Sequence, residues 1–181
     1  CGHTGRPGRS LTHYPRWLRD NFPNEVEGFH EYTAHGSPSG LGGGDTRAPQ
    51  VWHNPIPRGH YHTAWTADRT IAFLDSLERG EDWFVWMSFP DPHHPWDPPQ
   101  GELHRVDWRD LDLPAGYPGS PEKVTEILAN KPRHWLEWYE GRGQFNFEVP
   151  PDLVSARLTA DQIREVNAMV HVSNELIDEA V

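Results

Sequence analysis

The residues best suited to chemistry in this sequence lie together in a short segment rich in proline, histidine and aspartate. The segment contains two adjacent histidines, His93 and His94, and two carboxylates, Asp91 and Asp97. Prolines occupy five of the ten positions from 90 to 99, and they fix φ and remove backbone donors, which predicts a stiff loop. An imidazole held in such a loop can donate a hydrogen bond to a charged ester or protonate its leaving oxygen.

Each of these side chains also has a structural interpretation. His93 could simply form a hydrogen bond within a turn. For His94, a structural role or a position at the rim of a site is the favoured interpretation. Asp91 and Asp97 are possible metal ligands, but capping of turns through hydrogen bonds to the backbone is the favoured interpretation. His93 is therefore the candidate substrate-binding residue, and His94 is the weaker one.

The elements before this loop predict how it is positioned. The run from Trp83 to Ser88 is short, apolar and without alternation, which predicts a strand buried on both faces. A helix is predicted over 63–79, because Thr63 is a plausible N-cap, apolar residues recur at helical spacing and Gly80 is a natural stop. A helix followed closely by a buried strand is half of an α/β unit. In open α/β sheets, ligands bind at the carboxyl ends of the strands.

The rest of the chain is predicted to alternate between irregular stretches and helices. Residues 1–60 are mostly loop. A helix predicted over 121–140 has a tryptophan-rich end, where packing against the fold is favoured over a platform for a carbohydrate or an aryl group. A long helix is predicted over 159–180, because Thr159 and Gln162 fit a capping box. Steps of three and four then predict one buried stripe, formed by Ile163, Val166, Val170, Ser173, Ile177 and Ala180.

Several of these segments resemble the sulfatases, within the alkaline-phosphatase-like superfamily. Residues 88–95 are similar to the family's Pro-His-x-Pro segment, and residues 61–71 are similar to the helix that precedes the strand in bacterial sulfatases. Residues 28–29 resemble a Gly-Phe segment of the family, and residues 170–181 resemble the helix that leads to its last core strand. The resemblance covers most of the chain in patches, and the loop is its most specific part.

The resemblance implies an α/β fold, with part of an alkaline-phosphatase-like mixed or parallel sheet flanked by helices and long irregular loops. We expect one partial sulfatase catalytic domain over residues 1–181. Its parts would be a variable loop region (1–60), a helix-strand-loop piece of the core (61–100), an insertion (101–158) and a core helix (159–181).

The implied activity is metal-dependent hydrolysis of a small-molecule or carbohydrate sulfate ester, with His93 as the substrate-binding histidine. The family uses a divalent cation, usually calcium, and a cysteine oxidised to formylglycine. This sequence contains no Asp-Asp pair and no Cys-x-Pro-x-Arg, Gly-Lys-x-His or Asp-His-Gly motif, and Cys1 is followed by His3 where the nucleophile motif requires proline. We therefore expect an internal piece of a sulfatase, inactive alone, that supplies neither metal ligands nor formylglycine.

Three other functions remain open. One is hydrolysis of phosphonate or phosphate esters, because that superfamily shares one metal site and a single histidine does not separate the substrates. Another is a non-catalytic remnant or interaction protein. The last is a metal-binding module of His60, His62, His93 and His94, although their spacing fits no closed site.

Composition limits the partners of the chain. Its 181 residues carry a formal net charge of −11, which argues against non-specific binding of nucleic acid. An anionic ester therefore needs a local positive group, for which the 12 histidines are the obvious source. No apolar run approaches transmembrane length, so no membrane span is expected. A cytoplasmic location is favoured, but a periplasmic or secreted one stays open because the chain starts at Cys1, and the oligomeric state is open as well.

Overall fold

The protein is described by a computed structural model for residues 13–28, 44–142 and 152–181. These residues form α-helices joined by long irregular segments. The helices are α1 (His13–Asn21), α2 (His62–Asp75), α3 (Pro121–Leu128), α4 (Arg133–Tyr139) and α5 (Ala160–Ala180), with a further helical stretch at 23–28. Short 3₁₀ turns lie at Arg58–His60, Gln100–Arg105, Trp108–Asp110 and Ser155–Arg157. In this part of the chain, no helix is both long enough and apolar enough to cross a bilayer.

The predicted α/β fold is wrong. The structure is 55% helix and 3% strand, and its described residues contain no sheet of the alkaline-phosphatase-like kind. Within the described ranges, strand pairing is confined to two isolated parallel bridges, between Val51 and Trp96 and between Asn54 and Pro99. A sequence pattern identifies a segment that suits a sheet, but a sheet forms only where neighbouring strands are available to pair with that segment.

The predicted buried strand is exposed. Residues 81–90 contain no helix, turn or bend, so the run is extended, but no strand lies beside it in the described ranges. Trp83, Phe84 and Trp86 are 56%, 82% and 81% exposed. The prediction of burial on both faces is therefore wrong, because the covering layers on which it depended are not formed by these parts of the chain.

Helix α2 confirms the predicted helix in this region, with shifted ends. It begins at His62 rather than Thr63, and Tyr61 takes the N-cap position without a side-chain cap hydrogen bond. Along the predicted apolar stripe Ala67 is buried, whereas Ile71 is 54% exposed. Only the first half of α2 therefore packs against the body of the protein.

The other two predicted helices are confirmed in part. The helix expected over 121–140 is divided into α3 and α4 just before Pro132, whose ring and missing N–H disfavour a continuous helix. In α5 the capping box is present, with Thr159 N–H donating to Gln162 Oε1 at 3.0 Å and Gln162 N–H donating to Thr159 Oγ1 at 3.2 Å.

The buried face of α5 differs from the predicted stripe of Ile163, Val166, Val170, Ser173, Ile177 and Ala180. The residues that are buried are Glu165, Ala168, Met169, Val172, Ser173 and Leu176. Only Ser173 belongs to both sets. The helix is turned so that a carboxylate, Glu165, faces inward at 1% exposure.

Glu165 faces inward because its carboxylate is satisfied there by the chain entering at residue 44. Its Oε1 accepts the backbone N–H of Asp45 at 2.6 Å, and its Oε2 accepts the backbone N–H of Thr46 at 3.0 Å. The hydroxyl of Thr46 also donates to Oε2. A buried carboxylate is tolerated when hydrogen bonds replace its lost hydration, so this contact fixes the start of the 44–54 segment against α5.

The described residues form two apolar clusters. One is formed by Ala48, Val51, Ala168 and Met169, with Trp96 among the partly buried residues packed against it. The other joins Leu18 of α1 to Val26 and Ile56. The proline-rich loop at 90–99 is thus attached to the first cluster through Trp96.

Replacement of Gly44 by alanine tests the Glu165 contact. Gly44 has φ +79°, and an added Cβ would lie 2.1 Å from Glu165 Oε1, so the carboxylate would have to leave its donors. Gly80, at φ +94°, has nothing within 4 Å of a Cβ and is the matched control. We expect Gly80→Ala to lower the free energy of unfolding by about 1 kcal/mol and Gly44→Ala to lower it by about 1–3 kcal/mol more, measured by urea unfolding. Equal losses in the two variants would contradict the role of Glu165.

Candidate functional site

The proline-rich loop at 90–99 is held along its second half by the 50–54 segment. Trp96 N–H donates to Gln50 O at 2.7 Å, and Trp52 N–H donates to Trp96 O at 2.9 Å. Asn54 N–H donates to Pro98 O at 3.3 Å. The stiff loop predicted from its prolines is therefore also fixed from outside by backbone hydrogen bonds.

Asp97 turns its carboxyl group toward this neighbouring segment. Its Oδ2 accepts from Asn54 Nδ2 at 3.1 Å, while Asn54 Oδ1 accepts the backbone N–H of Ile56 at 2.9 Å. Burial raises the pKa of Asp97 well above its ordinary value, and the charge of Asp91 raises it further. Burial therefore favours the neutral form of the Asp97 carboxyl group.

Asp91 at the other end of the loop faces the start of α2. Its side chain is 5% exposed, its Oδ2 accepts from the Tyr61 hydroxyl at 2.9 Å, and its Oδ1 lies 3.6 Å from His62 Nε2. Burial raises the pKa of Asp91 to about 6, although the Tyr61 hydrogen bond acts to lower it. The pKa of Tyr61 is raised by its own burial and by the charges of Asp97 and Asp91.

Turn capping, the favoured interpretation of the two aspartates, leaves out part of their contacts, although the Asp97 carboxyl group does accept a hydrogen bond from its own backbone N–H. Each carboxyl group accepts a hydrogen bond from a side chain of a distant segment, Tyr61 for Asp91 and Asn54 for Asp97. Sequence reasoning missed Tyr61 and Asn54 as site residues. For Tyr61, its place in the sequence could have indicated this role, because it immediately precedes the helix that leads into the extended run and the loop.

The two predicted histidines lie side by side on this loop. The ring centroids of His93 and His94 are 4.3 Å apart with an interplanar angle of 31°, and His94 meets the Trp96 ring edge-on at 6.0 Å. His93 Nδ1 is 2.5 Å from the carbonyl oxygen of His94. A carbonyl only accepts, so the Nδ1 proton is engaged there, and the basic lone pair of the neutral ring is on Nε2.

His60 and His62 do not join the histidine pair of the loop. His60 Nδ1 contacts the Glu25 carboxylate at 2.8 Å, and its ring stacks on Phe22 at 3.6 Å. No group of three or more His, Cys, Asp or Glu side chains in the described ranges could hold a metal ion. The four-histidine metal module is therefore not formed.

The residues present also do not fit the calcium site that the sulfatase resemblance implies. The carboxyl groups of Asp91 and Asp97 accept hydrogen bonds from the Tyr61 hydroxyl and the Asn54 amide. A calcium ion would need several oxygen ligands around it, whereas these carboxyl oxygens face hydrogen-bond donors. Cys1, already rejected as a formylglycine precursor, lies outside the described residues. No catalytic step is assigned to a metal ion here.

The charge state of the loop is more favourable to an anion than its sequence indicates. Burial raises the pKa of both aspartates, to about 6 for Asp91, and so favours the neutral form of each carboxyl group. An anionic ester at His93 would therefore meet less negative charge from the loop than its two aspartates indicate. Lowering the pH removes this charge and protonates imidazole, so both changes favour an anion.

The raised pKa of Asp91 predicts how stability depends on pH. The folded-state value of about 6 exceeds the ordinary value of 3.8, so the unfolded chain releases this proton first as the pH rises. The free energy of unfolding should fall between pH 4 and 6 by up to about 3 kcal/mol and stay low above that window. Asp91→Asn keeps an acceptor for Tyr61 but does not titrate.

We expect Asp91→Asn to match the wild type near pH 4 and to be more stable by roughly 1–3 kcal/mol at pH 7.5, measured by urea unfolding at each pH. Asp112→Asn is the control, because Asp112 is exposed and its replacement should leave the pH profile unchanged. Parallel pH profiles for Asp91→Asn and the wild type would contradict the assignment.

Comparison with known proteins found no protein-family model, no curated protein and no solved structure that matches the chain.

Proposed function

We propose that this chain supplies the ester-binding histidine of a sulfuric ester hydrolase, and that His93 contacts the sulfate ester. The observation that carries the proposal is the 2.5 Å contact from His93 Nδ1 to the His94 carbonyl, which orients the imidazole. The loop that carries this ring is anchored at one end by Asp91 and at the other by Asp97. A ring fixed in this way binds an oxyanion without first losing rotational freedom.

The chemistry assigned to His93 is hydrogen bonding to the ester. With Nδ1 donating to the carbonyl, protonation occurs at Nε2, which then donates to a sulfate oxygen or to the bridging oxygen of the leaving group. The resemblance of residues 88–95 to the Pro-His-x-Pro segment of sulfatases supports this role. The nucleophile and the metal ligands of the hydrolase are assigned to residues that this sequence does not contain.

Replacement of His93 tests the proposal through binding alone. We expect 4-nitrophenyl sulfate to bind the chain more tightly as the solution becomes acid enough to protonate imidazole. His93→Ala should weaken that binding about tenfold or more and reduce its pH dependence to the part that comes from Asp91, measured by titration calorimetry. The matched control is His104→Ala, since the exposed His104 makes the same kind of Nδ1 contact to the Gly101 carbonyl, at 2.8 Å.

The same titrations separate the related esters. Phenyl phosphate and a phenylphosphonate present similar tetrahedral oxyanions, so tighter binding of either would favour the phosphate or phosphonate hydrolase over the sulfatase. Equal affinities of His93→Ala and His104→Ala for every ester would contradict any role of His93 in ester binding. A chain that binds none of them would leave only the non-catalytic interaction protein.

The purified chain should not turn over sulfate esters. It has no Cys-x-Pro-x-Arg motif and none of the family's paired metal-binding motifs, so the attacking group is missing. We expect no release of 4-nitrophenol from 4-nitrophenyl sulfate above the buffer rate, with or without added calcium. Calcium-dependent turnover that disappears in His93→Ala would show that the chain contains its own nucleophile and would overturn this assignment.

A further inference from the structure

The most exposed apolar part of the described protein is the extended segment at 82–89. Phe84 and Trp86 are 82% and 81% exposed, and Trp83 is 56% exposed. From Phe84 onward exposure alternates, because residues 84, 86 and 88 are exposed whereas residues 85, 87 and 89 are half-buried. This is the alternation of a β-strand that lies on the protein with one face and leaves the other in solvent.

The backbone of this segment has no partner in the described ranges. Residues 82–89 take part in no hydrogen bond there, whereas the neighbouring Glu81 and His93 N–H groups donate to Glu78 O and Pro90 O within local turns. An extended segment without partners presents N–H and C=O groups along its edges. Such an edge is a template for pairing with a strand of another chain.

We propose that residues 82–89 pair with the same residues of a second copy of this chain, as antiparallel strands related by a two-fold axis at Trp86. In this register Trp86 opposes its own counterpart, Phe84 opposes Ser88 and Trp83 opposes Phe89. Pro90, which has no N–H to donate, opposes Asp82 at the end of the ladder, where its missing donor costs little. Use of the same edge in both copies makes the pairing two-fold symmetric.

The distribution of charge favours the antiparallel arrangement. The acidic residues near the segment lie on its N-terminal side, at Asp75, Glu78, Glu81 and Asp82, with Arg79 among them. Antiparallel pairing separates the two copies of Asp82 by eight residues, about 26 Å, which is more than the screening length of roughly 8 Å at physiological salt. Parallel pairing would bring these carboxylates together, so their mutual repulsion favours the antiparallel direction.

The exposed aromatic rings supply the cross-strand contacts of the proposed dimer. From their exposed fractions, the three rings of Trp83, Phe84 and Trp86 offer on the order of 500 Å² per copy. Edge-to-edge pairing covers part of this surface, because Trp86 lies against its counterpart and Phe84 against Ser88 on the solvent face of the paired strands. Cross-strand aromatic contacts of this kind stabilise antiparallel pairs.

Sedimentation velocity from about 1 to 100 μM tests the proposal with the whole chain. We expect the wild type to shift from 20.8 kDa to twice that mass as concentration rises. Trp86→Asp places two carboxylates opposite each other on the axis and should weaken dimerisation about tenfold or more. Trp138→Asp is the matched control, because Trp138 is also exposed, at 60%, but lies in α4, and this variant should dimerise as the wild type does.

Amide hydrogen exchange distinguishes strand pairing from unspecific apolar association. Pairing should protect alternate amides between residues 83 and 89 at high concentration only, because successive N–H groups of a strand point to opposite edges. A monomer at every concentration, equal dimerisation of Trp86→Asp and Trp138→Asp, a dimer without protection in this segment, or open-ended polymers would each overturn the proposal. None of these readouts depends on His93 or on ester binding, so their outcome is independent of the proposed function.

Discussion

Burial of the Glu165 carboxylate is the constraint on which the arrangement of the described residues depends. A carboxylate without hydrogen bonds would not be stable at 1% exposure, so α5 adopts this rotation only while Asp45 and Thr46 supply their backbone N–H groups. In return, the contact fixes the start of the segment that continues to Val51 and Asn54. These two residues form the bridges to Trp96 and Pro99, so the position of the candidate site follows from a contact that contains no site residue.

The site repeats this use of buried carboxyl groups at a smaller scale. Asp91 and Asp97 hold the two ends of the histidine loop through Tyr61 and Asn54, and both have a raised pKa because burial disfavours their charged forms. A loop held by partly neutralised carboxyl groups is less stable near neutral pH than one held by apolar contacts. It places His93 in a fixed orientation with little opposing negative charge, and perturbed carboxyl groups of this kind are common at functional sites.

The segment at 82–89 shows the opposite case, in which apolar surface is left without cover. Its sequence has the continuous apolar character of a strand inside a sheet, and its conformation is extended. Burial requires other segments to approach both faces and both edges, and the described ranges provide contact on one face only. The same apolar character that predicted a central strand therefore makes this segment the strongest candidate for association between chains.

The sequence by itself determined the features that depend on neighbours within a few residues. These are the Thr159–Gln162 capping box, the region of helix α2, the break at Pro132 and the stiff loop that carries His93 beside His94, although the break was not predicted. Tertiary structure alone decided that Glu165 and not Ile163 faces inward, that Asp91 and Asp97 bind distant side chains, and that no sheet surrounds 82–89 in the described ranges. The physical reason is distance along the chain: Glu165 and Thr46 are 119 residues apart, and no local pattern encodes which remote donor will satisfy a buried group.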